Sequence, residues 1–91
     1  MREIEATPKF KKDFKREAKS DARVATLFQE VLELLANDNA LPAKLRDHAL
    51  SGDWRGFRDC HIKPDLVMIY KKVDDDVLKL VRIGSHSELF R

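Results

Sequence analysis

Apolar residues recur at intervals of three and four as far as Leu35, and from residue 54 onward they come in short dense runs divided by charged turns. The first spacing belongs to one face of a helix and the second to a strand, so helices come first along the chain and strands afterwards. Val24, Leu27, Phe28, Val31, Leu34 and Leu35 make the longest stripe, opened by Ser20 and Asp21 as N-cap residues and closed by Asn37-Asp38-Asn39. Phe10, Phe14 and Ala18 make a narrower one that follows Thr7-Pro8, a hydroxyl cap with proline at the first helical position. The two helices are expected to form an antiparallel hairpin. Ahead of them, Glu3 to Ala6 reads as a short strand.

Between Leu41 and Asp53 the periodicity stops, and a segment containing Pro42 and Gly52 reads as a loop of functional length. Arg55 to Ile62, Leu66 to Lys72 and Val77 to Ile83 read as strands. The connections Lys63-Pro64-Asp65 and Asp74-Asp75-Asp76 are short, which makes the three an antiparallel meander. The last run is apolar on both parities, as a central strand covered on both faces would be. An α+β fold, with the N-terminal strand and the helical hairpin packed on a small, mostly antiparallel twisted sheet, buries every stripe. At 91 residues with 43% hydrophobic side chains, one domain over residues 1–91 is expected.

The longest apolar stretches fall far short of the ~20 residues that span a bilayer, and the N-terminus MREIEATPKF lacks an apolar signal core. A cytoplasmic protein with no membrane partner is the expectation. The lone cysteine, Cys60, permits no internal disulfide, and zinc sites of four cysteines, or of two cysteines with two histidines, are excluded by count. Neighbouring strand residues Cys60 and His61 point to opposite faces, and no CxxC or HExxH pair occurs, so neither a metal nor a cofactor is expected. The net charge of +2 conceals an asymmetry: residues 8–19 carry Lys9, Lys11, Lys12, Lys15, Arg16 and Lys19 against Asp13 and Glu17. Such a run is either a solvated helix face or a contact for a polyanion.

His48, His61 and His86 all lie in the second half, each beside a turn or at an expected strand end, in the company of Arg58, Asp59, Asp65 and Arg82. Alternation places Asp59 and His61 on one face and Arg58 and Cys60 on the other. Cleavage of an RNA phosphodiester needs a base for the 2′-hydroxyl proton, an acid for the departing 5′-oxygen and a cation for the charge on the phosphorane. The histidines, Asp65 and Arg82 offer all three without a metal ion. Taken singly, they also read as a turn aspartate, strand-end histidines and a surface ion pair. Trp54 and Phe57 stand beside Arg55 and Arg58. Phe57 reads as core, Trp54 as either core anchor or base-stacking residue, and Phe90 as a residue that closes the core or stacks on a nucleotide.

The stretch LRDHALSGDWRGFRDCHIKPDLVMIYK followed by VRIGSHSELF resembles the YafQ subgroup of RelE-like toxins, the ribosome-dependent mRNA endonucleases of bacterial type II toxin–antitoxin systems. The likeness runs from about Leu45 to Phe90, with Leu66 standing where relatives often carry tryptophan. It implies a RelE-like microbial RNase fold and metal-independent cleavage of mRNA in the ribosomal A site. It further implies a 70S ribosome as partner and a cognate antitoxin that wraps the domain. His48, His61, Asp65, Arg82 and His86 fall on the family's catalytic positions and Phe90 on a substrate position; Trp54 and Arg58, from the interleaving of aromatics with arginine, are further expected substrate contacts. The implied roles make Asp65 and His61 the base and its orienter, His86 or His48 the acid, and Arg82 the holder of the phosphate; base and acid can be exchanged among them. Phe90 would stack on a base. Lys9, Lys11, Lys12, Lys15 and Arg16 would contact ribosomal RNA. The competing expectation is a non-catalytic binding module of the ParE-like kind, a class that lacks a histidine-rich site.

Overall fold

The computed structural model describes residues 1–90. Its elements follow the order β1 (Glu3–Ala6), α1 (Pro8–Ser20), α2 (Arg23–Ala36), β2 (His48–Ala49), β3 (Arg58–Lys63), β4 (Leu66–Val73), β5 (Val77–Gly84) and α3 (His86–Leu89). The strands form a five-stranded sheet in the order β1-β5-β4-β3-β2. β1 runs parallel to β5, and every other pair is antiparallel.

The helices begin where the chain offers caps. Oγ1 of Thr7 accepts from the Phe10 amide at 2.9 Å and donates to the Val81 carbonyl at 2.8 Å, so one hydroxyl both caps α1 and fastens it to β5. α1 ends at Ser20, and the Asp21 carboxylate then accepts from the Arg23 amide at the start of α2. Lys63 at the end of β3 donates to the same carboxylate at 2.9 Å, which ties the helical joint to the sheet.

Phe10, Phe14 and Phe28 cluster between α1 and α2 with ring centroids 4.8 to 6.0 Å apart. With Val24, Val31 and Leu35 they cover Cys60, Ile62, Met68, Tyr70, Leu78, Leu80 and Ile83 on one face of the sheet. Each large side chain removed from water here contributes about 1.5 to 3 kcal/mol. Along β4, Leu66, Met68 and Tyr70 join this core while Val67 and Ile69 face away from it. There they meet Leu89 of α3, with Trp54, Phe57, Val81 and Phe90 packed alongside. β5 is central as expected, yet β4 is the strand covered most completely, because α3 folds back over only part of the second face.

Three features depart from the expected outline. The segment between α2 and β3 contributes β2 and two 3-10 turns, Ala43–Leu45 and Gly52–Trp54. β3 starts at Arg58 rather than Arg55, because Gly56 at φ +92° and a bond from the Phe57 amide to the Trp54 carbonyl keep the preceding residues in a turn. The tail after Gly84 folds into α3. Among the described residues no helix is long and apolar enough to cross a membrane.

Candidate active site

Cross-strand register gathers residues that are distant in sequence. His48 pairs with Asp59, Asp59 with Ile69, and Ile69 with Arg82, which sets a row across four strands; His61, opposite Val67, lies one step along β3. His48, Asp59 and His61 share the face turned away from α1 and α2. Arg58 and Cys60 take the opposite face, as alternation requires. Burial pushes the Cys60 thiol up to about 12, so it is no nucleophile at neutral pH. Arg58 donates from Nε to Asp47 at 3.3 Å and does not reach the histidine face.

The two ring contacts on this face fix the state of each neutral imidazole. His48 lies with Nδ1 2.9 Å from the Arg46 carbonyl, and His61 with Nδ1 3.1 Å from the Pro64 carbonyl. A carbonyl only accepts, so in the neutral ring Nδ1 holds the proton and Nε2 holds the lone pair. Both histidines therefore offer Nε2 as a base. The orienting group of His61 is the Pro64 carbonyl, one residue before the Asp65 carboxylate. Asp65 itself is exposed in the turn and acts electrostatically on Arg23. It lines, with His61, Arg23, Leu27 and Leu45, a groove of about 640 Å³ between α2 and the β3–β4 turn.

His86 opens α3. The Ser85 hydroxyl caps that turn by accepting from the Glu88 amide at 3.2 Å, and the His86 ring leans on Phe90 with centroids 4.8 Å apart. Phe90 in turn packs against the apolar cluster of Val67, Ile69 and Leu89. Trp54 is half-buried in the same cluster, edge-on to Phe57 at 5.5 Å.

Arg82 sits at a β-bulge: Ile69 pairs with Arg82 and Tyr70 with Leu80, leaving Val81 as the extra residue. Val81 fills the open-face cluster, and the Arg82 guanidinium reaches Asp13 of α1 through Nε at 2.7 Å and Nη2 at 3.3 Å. Asp13 is 3% exposed and also accepts from the Ile83 amide, while Glu88 lies 3.9 Å from Nη2 of Arg82 and 2.9 Å from Nη2 of Arg16. Arg16 is thereby occupied, whereas Lys9, Lys11, Lys12 and Lys15 are exposed, with no carboxylate within 4 Å among the described residues.

Asp59 is the residue that sequence reasoning left out of the site. It is 2% exposed, with Oδ1 3.0 Å from Nδ1 of His48. That ring N–H is aimed at the Arg46 carbonyl, so the two are close in charge without sharing a hydrogen bond. Burial pushes the Asp59 carboxyl above its ordinary value of 3.8, and positive charge on His48, His61 or His86 pulls it back. The signal was its alternation with His61; its depth depends on cross-strand neighbours that alternation does not specify. Histidines from β2, β3 and α3 thus face one sunken carboxylate, residue types that general acid–base chemistry uses.

A family model described as the bacterial toxin of type II toxin–antitoxin systems, YafQ, matches residues 2–91. The mRNA interferase toxin YafQ of Escherichia coli K12 is 38% identical over 90 residues, spanning 99% of this chain and 97% of its own length. YafQ in the crystal of the Escherichia coli DinJ–YafQ complex superimposes with a TM-score of 0.84 at 36% identity, each chain covered in full. A metal-bound toxin from Helicobacter pylori gives 0.89 at 44% identity, over 99% of this chain and 100% of that one.

Proposed function

The chain belongs to the YafQ family of bacterial type II toxins, and on that footing we propose that it is an endoribonuclease that cleaves mRNA in the ribosomal A site without a metal ion. The observation that carries the reading is the pair of imidazoles whose Nδ1 atoms are tied to backbone carbonyls, leaving Nε2 of His48 and of His61 as ready bases beside a third histidine. One of these Nε2 atoms takes the 2′-hydroxyl proton, and the oxygen attacks the adjacent phosphorus in line. The P–O5′ bond breaks as the 5′-oxygen takes a proton from the imidazolium of His86, giving a 2′,3′-cyclic phosphate and a free 5′-hydroxyl. Arg82, braced by Asp13 through Nε and Nη2, keeps Nη1 for the phosphate oxygens. Phe90 beside His86 flanks the substrate path, and Asp65 stands in the turn next to the Pro64 carbonyl that holds His61. Trp54, half-buried, contributes to the walls of that path, while Arg58, on the far face, holds Asp47 next to His48. DinJ stands in the Escherichia coli complex as the partner of YafQ; a cognate antitoxin of the same kind is the expected partner here. The free lysines of α1 suit ribosomal RNA.

Primer extension on an mRNA incubated with the purified protein tests this, with and without programmed ribosomes and with a chelator added to each arm. Cuts at codon boundaries that need ribosomes and survive the chelator are the expected result. The metal-bound Helicobacter pylori relative makes the chelator arm necessary, and cuts abolished by it would replace the metal-free step. No cuts in any arm, from folded protein, would favour a binding module.

A further inference from the structure

Asp59 lies at the middle of β3, 2% exposed, with its Oδ1 accepting no hydrogen bond from any described residue. A carboxylate oxygen sunk without a donor is unfavourable, since water is lost and nothing replaces it. The apolar packing around Ile69 gives no reason for a charge at this point. The charged groups that face it come from separate elements: His48 on β2, His61 on β3, His86 on α3, and opposing them Asp47 in the segment before β2. His48 sits with Nδ1 3.0 Å from Oδ1, so positive charge gained on that ring in the cleavage step forms beside this carboxylate.

We propose that Asp59 is a positioning residue of the reaction, a fixed negative charge beneath the histidines that stabilises the imidazolium formed when His48 or His61 takes the 2′-hydroxyl proton. It touches no substrate and acts through the rings. The proposal rests on the endoribonuclease reading for its chemistry, while the charge state of Asp59 can be measured without it.

Raising the folded-state value of an acid means that folding favours the neutral form. That advantage is present below the ordinary value of 3.8 and is lost as pH rises through the raised one, so at neutral pH the Asp59 charge subtracts from stability. Asp59→Asn in the full chain is the test, read by single-turnover cleavage on programmed ribosomes over a pH series and by thermal unfolding. Cleavage at neutral pH should fall by about 10- to 100-fold, and the wild-type advantage should shrink toward unity as pH drops through the Asp59 titration. The unfolding midpoint at neutral pH should hold or rise, opposite to the fall a structural role would give. A wild-type cleavage rate in the variant, or a loss constant across pH, overturns the proposal. Should the variant not fold, a 13C titration of the wild-type Asp59 carboxyl decides: an ionised carboxylate at the assay pH supports it, and a protonated one overturns it. That titration answers even if the wild-type protein cuts no RNA, an outcome that removes the endoribonuclease reading alone.

Discussion

Tyr70 shows how much of the site is held from beneath the sheet. Its ring is buried in the helix-side core, and its hydroxyl donates to Asp47, the residue before His48. Burial, with the bond to Asp47, pushes the phenol well above its ordinary range, so it stays a donor at every working pH. Tyr70→Phe should lower the unfolding free energy by about 1 to 3 kcal/mol, since among the described residues Asp47 then retains only Arg58 as a donor. Urea unfolding should register this as a lower midpoint with unchanged slope; an unchanged midpoint would mean that the hydroxyl bears no weight. At this scale the sequence was informative in an uneven way. His48, His61 and His86 were legible because histidines are few and each stood at a turn or strand end, and Asp59 was correctly set on the His61 face. The bond of Arg82 to Asp13 spans 69 residues and depends on a bulge at Val81, for which no local signal exists. The Pro64 carbonyl, as a backbone group, has no signature at all.

Elements of ordinary length were readable because their periodicity had room to repeat: α1, α2, β4 and β5 fall within a residue or two of their expected spans. β2 has two residues and α3 four, too few for either a 2- or a 3.6-residue period to register. A four-residue helix has no stability of its own and exists by docking. α3 docks through Leu89 onto Val67 and Ile69, and through Glu88 onto Arg16. Leu89→Ala should therefore release α3 while the sheet and the helical hairpin stay folded. Amide exchange should accelerate over residues 86–90, cleavage should fall by at least ~10-fold as His86 and Phe90 lose their place, and the main unfolding transition should move little. A concerted loss of the whole structure would mean instead that α3 belongs to the global core.

For the molecule as a whole, the two-layer arrangement followed from the switch in apolar spacing, and the asymmetry of charge was visible in the chain before it was folded. Structure adds which cations are paired: Arg16 is engaged by Glu17 and Glu88, while Lys9, Lys11, Lys12 and Lys15 have no carboxylate within 4 Å among the described residues. Replacing Lys11, Lys12 and Lys15 by glutamine should weaken ribosome association and make its dependence on log salt shallower by about 2 to 3; binding that is unaltered across salt would exclude this face. What the chain could not announce is the parallel pairing of β1 with β5, because no local signal marks a partner 74 residues away. That pairing also governs how the protein is born. β5 fills the place between the first strand made and the hairpin partner β4, so a nascent chain lacking residues 77–90 has β1 unpaired, Asp13 without Arg82, and no α3. Contacts that close so long a loop form late and slowly. A chain whose proposed target is the translating ribosome thus completes its site only after β5 and α3 have emerged from the ribosome that made it.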